Sequence, residues 1–336
     1  MDESKRTALV LGATGGVGGA VARALLAHGW AVRGMARDPG KAAAAARNLA
    51  NGIEWVKGDA MVQDDVVHAA HGTDVIVHGV NPPGYRDWNK LVLPMIDNTI
   101  AAARQAGGAR IVLPGTIYNF DPAATPVLHE NSPQEPRSRK GAIRKELEAR
   151  LERAARAGEA PALILRAGDF FGPHVRASWF AQAMVAPGKP VKRLTVLNRG
   201  VGHSWAYLPD LAETFARLLS APDLLRTFER VQFEGMWDPD GHRMPEAIAA
   251  AVGRPRLLER AFPWWLMQIA APLGGFPREA VDILPFWRHP VKLDNSRLVA
   301  LLDAEPRTLL AEALRATLQG MGCLPGAGTA MRRLAA

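Results

Sequence analysis

Residues 7–29, TALVLGATGGVGGAVARALLAHG, restrict this chain to a narrow set of folds. Thr7 to Leu11 is a short apolar run with β-branched members at Thr7 and Val10. Gly12, Gly15 and Gly18 follow at three-residue spacing, and Val17, Val21, Ala24, Leu25 and Ala27 then recur at near-helical spacing. Strand, tight glycine turn and amphipathic helix in that order open a βαβ unit and form a dinucleotide-binding fingerprint in its required context. Gly12 permits the sharp turn, Gly15 lets a pyrophosphate approach the backbone, and Gly18 lets the helix pack close to the strand. Thr14, Gly16 and Val17 fill the turn and the first helical positions, where free N–H groups and the positive end of the helix dipole face the phosphates.

The 336 residues allow one large α/β domain with an appended lobe. The formal charge of +8 raises the question of nucleic acid. The basic residues are scattered, however, apart from a group at Arg137, Arg139, Lys140, Arg144 and Lys145. Scattered cations fit a solvated surface or a phosphorylated cofactor better than a nucleic-acid stripe. One cysteine, Cys323, allows no internal disulfide and fits a reducing compartment, so a cytoplasmic location is expected. The histidines show no HExxH or HxxxH spacing, which points away from a metal. The stretch 262–276, FPWWLMQIAAPLGGF, is too short and broken to span a bilayer, which needs ~20 apolar residues. It reads as a helix closing over a pocket, with a membrane surface or a homodimer contact as other uses.

Strands are expected at 7–11, 30–36, 53–57, 74–78, 110–113 and 162–166, separated by helices at 41–50, 64–70, 88–106 (with a kink at Pro94) and 141–157. This alternation predicts a doubly wound parallel sheet covered on both faces. Residues 121–136 carry four prolines and read as a long irregular loop. Beyond Gly172-Pro173 the rhythm is lost. One more strand is expected near 231–233, and 245–324 reads as mostly helical. The domain expectation is therefore a dinucleotide-binding domain at 1–172, extended by 205–235. A substrate lobe at 173–204 and 236–325 and a tail at 326–336 complete it.

After the second strand, Ala36-Arg37 stands where an acid would accept from a ribose 2′-hydroxyl. An arginine there binds a 2′-phosphate instead, which favours NADP over NAD. Asp59, followed by Ala60, is placed to meet the adenine or, equally, to cap a helix. His78, Gly79 and Val80 would run under the ribose and pyrophosphate.

Four blocks carry a wider resemblance: GATGGVG at 12–18, GD at 58–59, LRAGDFFGP at 165–173 and HSWAYLPDLAETFARLL at 203–219. In these the chain resembles the extended short-chain dehydrogenase/reductase family, which includes NAD(P)-dependent epimerases and dehydratases. The resemblance implies a Rossmann sheet, a C-terminal substrate lobe and a Tyr-x-x-x-Lys pair, the tyrosine exchanging protons and the lysine holding the nicotinamide ribose. The chain departs from that pattern. Its tyrosines, Tyr85, Tyr118 and Tyr207, are followed four residues on by Asn89, Pro122 and Leu211. Lys145 matches the family's lysine, which leaves Gly141 at the tyrosine position. Matching the family's other conserved tyrosine to Tyr118 puts Pro114 at the serine position, with Thr116 two residues later.

Three readings follow. One is an NADP-dependent oxidoreductase of a small organic carbonyl or alcohol, with Tyr118 as proton donor and Thr116, Lys140 or His203 as weaker candidates. Another is a nucleotide-sugar epimerase or dehydratase, which the missing tyrosine disfavours. The last is an NADP-binding sensor without chemistry. The cluster 137–145 is as readily a solvated helix face as a grip on an anion. His203, Trp205 and Tyr207 alternate, as on one face of a strand lining the pocket, core packing being the ordinary role for Trp205. His129-Glu130 shows no readable partner.

Overall fold

A computed structural model describes residues 5–46, 51–82 and 88–324. Each apolar run of the first half becomes a strand because both faces of the sheet are covered, so successive side chains on either face find a core. In chain order the elements are β1 (Thr7–Leu11), α1 (Gly16–Ala27), β2 (Ala31–Ala36), α2 (Pro39–Ala46), β3 (Ile53–Lys57), α3 (Gln63–Ala70), β4 (Val75–His78), α4 (Trp88–Gln105) and β5 (Arg110–Gly115). Then come β6 (Val127–Leu128), α5 (Arg139–Arg156) and β7 (Ala162–Arg166). The helix expected at 41–50 starts at Pro39, and residues 47–50, the tail 326–336 and Tyr85 lie outside the described residues. Helix α4 runs through Pro94.

The second half adds β8 (Asp169–Phe171), β9 (Arg193–Val196), β10 (His203–Tyr207), α6 (Leu208–Ser220), β11 (Phe228–Gln232), β12 (Met236–Asp238), α7 (Arg243–Ala251) and β13 (Leu258–Ala261). It closes with α8 (Trp264–Ala270), α9 (Gly275–Ile283), α10 (Pro285–Arg288), β14 (Lys292–Leu293), α11 (Ser296–Leu302) and α12 (Leu310–Gly320). The central sheet has seven parallel strands in the order β11-β7-β5-β4-β1-β2-β3. The order reverses between β1 and β4, and ligands bind beyond the carboxyl ends of the strands at such a switch point.

Alternation divides the core. Ala8, Val10, Val77, Val112 and Leu165 face α1 and α6, with Val21, Leu25, Phe215 and Leu219. Leu9, Leu11, Ile76, Ile111 and Ile164 face the other way, with Val66, Ile96, Leu147 and Leu151. A third cluster, rich in aromatic rings, joins the C-terminal elements to Ile117, Tyr118, Phe120 and Leu128.

Two expectations change here. The proline-rich stretch 121–136 is not wholly irregular: β6 pairs in parallel with β14, Val127 opposite Lys292. Short strands, β13 against β9 among them, also interrupt the helices of the second half. Their pairing partners lie far away in sequence, so no local pattern marks them. The apolar stretch 262–276 divides its faces. Phe262 and Trp264 turn inward against Trp179. Trp265, Ile269 and Leu273 turn outward, 65%, 69% and 90% exposed.

Candidate functional site

The glycine turn is built by backbone groups too close to admit a side chain. Gly12 has a φ of +81°. A Cβ on Gly18 would lie 2.3 Å from the Gly12 carbonyl oxygen, and one on Gly79 2.8 Å from that of Leu11 and 3.2 Å from the Gly18 Cα. Gly12, Gly18 and Gly79 therefore interlock β1, α1 and the end of β4. Gly79 carries as much of the turn's geometry as the fingerprint glycines do. Gly15 precedes α1 in an extended conformation and donates its N–H to the Gly12 carbonyl at 2.8 Å. The first-turn N–H groups of α1 have no intrahelical acceptor and open into the cleft.

That cleft is about 1630 Å³ and runs across the carboxyl ends of the strands. It is lined at one end by Arg37, Asp38, Lys41, Asp59, Ala60 and Met61 and in the middle by Gly12, Thr14, Gly15, Gly16, Val17, His78, Gly79 and Val80. Gly18 holds the turn from behind. Among the lining residues at the far end are Thr116, Tyr118, Arg144, Asp169, Trp179 and Glu279. A bare cradle beside a helix N-terminus fits a pyrophosphate, and the cations Arg37 and Lys41 fit an anionic group at the first end. Asp59 does not cap α3. One carboxylate oxygen accepts from the Met61 N–H at 3.0 Å and holds its own turn.

His78 is buried, and its Nδ1 meets the Thr99 hydroxyl at 2.8 Å. Thr99 donates its proton to the Met95 carbonyl at 2.9 Å, so the hydrogen-bond network assigns the His78 proton to Nδ1. Burial, reinforced by the neighbouring Arg144 guanidinium, pushes the His78 pKa down to about 3, and the imidazole is neutral.

Lys145 is not brought to this site. It is exposed and lies off the cleft, whereas Arg144 is buried and lines it. One residue is about 100° of helix rotation, enough to exchange solvent for the cleft. The spacing of Leu147 and Leu151 already carried this information, because the positions three and seven before Leu147 are Arg144 and Lys140. Arg144 donates to the Asn81 side chain at 3.2 Å and lies over the Trp88 ring at 4.9 Å. The buried Lys140 makes a 2.7 Å ion pair with the partly exposed Glu279. Gly141 is a contact point: a Cβ there would sit 2.1 Å from the Tyr118 carbonyl oxygen. Glycine at this position lets α5 approach the turn that carries Tyr118.

That turn is held by a closed ring of polar groups. The Thr116 hydroxyl accepts from the Tyr118 N–H and donates to Asn119 Oδ1, both at 3.3 Å. Asn119 donates to Gln134 at 3.0 Å, and Gln134 donates to Glu148 at 2.7 Å. Arg166, 1% exposed, donates to Glu148, 3% exposed, at 2.8 Å and returns to the Thr116 carbonyl. Thr116 thus spends its hydroxyl on the turn. Tyr118 is buried edge-on against Phe286, with ring centroids 5.3 Å apart, and lines the cleft.

His203, Trp205 and Tyr207 share β10 but line no part of the cleft. The strand lies behind it, and His203 and Trp205 are core residues. His203 reaches the cleft only through Asp169, whose carboxylate accepts from Nε2 at 2.8 Å. His129 and Glu130 lie off the cleft, near Asp294 and Arg226. Sequence reasoning assigned no role to Asp169, although it lies in the block at 165–173, and missed Trp179, Asn81 and Glu279, which none of the four motif blocks contains.

A family model described as NAD(P)H-binding matches residues 12–168. The chain is 29% identical over 179 residues to a 3-diazoavenalumate denitrifying reductase of Streptomyces sp, covering 49% of this chain and 56% of that one. It is 36% identical over 106 residues to an NmrA-like family domain-containing oxidoreductase of Aspergillus sp. (strain MF297-2), covering 28% and 31%. The matches thus span about half or less of those relatives' own lengths. Among solved structures, a putative epimerase from Burkholderia cenocepacia J2315 superposes with a TM-score of 0.71 at 16% identity, over 95% of this chain and 98% of that one. The enzyme WbmH of Bordetella bronchiseptica, in complex with NAD+, gives 0.67 at 18% identity, over 95% and 100%. A UDP-N-acetylglucosamine 4-epimerase from Bacillus cereus gives 0.67 at 16%, over 93% and 94%. With its glycine turn, its sheet order and these matches, the chain carries an NAD(P)H-binding domain at residues 12–168 and shares its fold with these epimerases.

Proposed function

We propose that the chain is an NADP(H)-dependent oxidoreductase acting on a small organic carbonyl or alcohol, with Tyr118 as proton donor. The observation that carries this reading is one continuous cleft with Arg37 and Lys41 at one end, the glycine cradle in its middle and Tyr118 at the other end. Bound NADP(H) supplies or accepts the hydride. The chain's own residues do the rest. Arg37 grips the 2′-phosphate, and the first turn of α1 with Thr14, Gly15, Gly16 and Val17 meets the pyrophosphate. Asp59 and Ala60 flank the adenine, and His78, Gly79 and Val80 floor the ribose. Arg144, rather than Lys145, faces the remaining part of the cofactor. Tyr118 exchanges a proton with the substrate oxygen, and Thr116 holds the turn that presents it. The single cysteine, buried Cys323, agrees with the cytoplasmic location this reading assigns.

NADPH oxidation followed by its near-ultraviolet absorbance, with a panel of aldehydes and ketones, tests the reading. General acid catalysis contributes ~10²–10⁴-fold, so Tyr118→Phe is expected to lower kcat by about that factor while NADPH binding persists. Tight NADPH binding without turnover on any compound would instead identify a sensor.

A further inference from the structure

The far end of the cleft has a composition of its own. Trp179 lines it and stands at the centre of a ring cluster: Trp287 at 5.7 Å, Phe262 and Phe276 at 5.9 Å and Trp264 at 6.0 Å between centroids. Tyr118, Phe170 and the half-exposed Phe276 line the same end. Two carboxylates, Asp169 and Glu279, stand among these rings.

The two carboxylates are held differently. Glu279 is matched by Lys140 at 2.7 Å. Asp169 accepts from His203, which is 1% exposed and stacked on Trp287 with centroids 4.1 Å apart and planes within 13°. His203 Nδ1 is buried without a hydrogen-bond partner among the described residues. A proton there would be an orphaned buried donor, so the network assigns the imidazole proton to Nε2, facing Asp169. This hydrogen bond orients the Asp169 carboxylate at the wall of the cleft. The guanidinium lining this end, Arg144, is engaged by Asn81 and Trp88.

We infer that this end takes a substrate with an aromatic, uncharged body, an aryl aldehyde or ketone, and rejects a nucleoside diphosphate. Flat rings provide stacking surface for an aryl group. A diphosphate placed against Asp169, whose side chain is 14% exposed, would bring like charges together at a mostly buried carboxylate. The solved structures that share this fold include epimerases of UDP-sugars, so the inference separates this chain from them by the chemistry of the site rather than by the fold. It rests on the oxidoreductase reading for the carbonyl, whereas its test rests on binding alone.

Calorimetric titration of the full chain loaded with NADPH, with 2-naphthaldehyde and in parallel with UDP, provides that test. Naphthaldehyde is expected to bind, and UDP to give no measurable heat. Trp179→Ala is expected to weaken naphthaldehyde about tenfold or more, the loss of a buried stacking surface. Phe276→Ala, at the rim, gives the same direction should Trp179→Ala fail to retain NADPH. Asp169→Asn removes the repelling charge without changing shape, and UDP binding is expected to become measurable in it. UDP binding to the unmodified protein as tightly as naphthaldehyde, or naphthaldehyde binding indifferent to both ring variants, would overturn the inference. Binding of naphthaldehyde without its reduction supports the substrate class and counts against the oxidoreductase reading, so the two fail separately.

Discussion

Arg37 is exposed, lines the cleft and stands where the chain leaves β2. A charge-assisted bond to a phosphate contributes about 1.5–3 kcal/mol, so Arg37→Ala is expected to weaken NADP about 10- to 100-fold and leave NAD nearly unchanged. Equilibrium titration with both cofactors checks the ratio, and an unchanged ratio removes the 2′-phosphate role. A second comparison separates two neighbours on α5. Arg144→Met is expected to weaken NADPH about tenfold or more, and Lys145→Met to stay within about twofold, because only Arg144 faces the cleft. The identity of a cation near this position was legible in the sequence. The side of the helix it occupies was not fixed by a motif match. It follows from which residues of α5 pack inward, and Leu147 and Leu151 decide that.

At the scale of elements, α5, β7 and the turn after β5 are joined through Glu148 and Arg166. Glu148 lies outside the four motif blocks and Arg166 inside the one at 165–173, and together with Asn119 and Gln134 they fix the turn that carries Tyr118. Removing one partner of a buried pair leaves the other charge uncompensated, at a cost of about 3–5 kcal/mol. Glu148→Ala is therefore expected to lower unfolding stability by about that amount in urea titration. A loss below about 1 kcal/mol would show that Arg166 finds another partner. The strands and helices of the parallel sheet were readable because their apolar runs are local and continuous. The short strands β6, β9, β13 and β14 were not, since each exists only through its pairing partner.

At the scale of the whole molecule, His78 ties the cleft to folding. Its pKa is lowered from 6.5 to about 3, first by burial and then by Arg144. Below the unfolded value the unfolded chain binds a proton that the native imidazole refuses. Stability is thus complete above about pH 6.5 and declines as pH falls towards the folded value. The decline attributable to this residue is about 2 kcal/mol between about pH 7 and about pH 5. Urea denaturation across that interval should show a shallower slope in His78→Asn by this difference. Equal slopes in the two proteins would show that His78 charges freely in the native state.

The sequence by itself determined the doubly wound sheet and the glycine turn, because strand–turn–helix geometry and three closely spaced glycines are local properties. It also determined that no Tyr-x-x-x-Lys pair exists, which needs only counting. Tertiary structure alone decided what stands opposite the cofactor cradle. Asp169, Trp179 and Glu279 come from three separate segments, and their charges and rings acquire a common meaning only where the chain brings them to one cleft. The turn at residues 12–18 states what is bound, and those distant residues, meeting across the carboxyl ends of the strands, state what is admitted beside it.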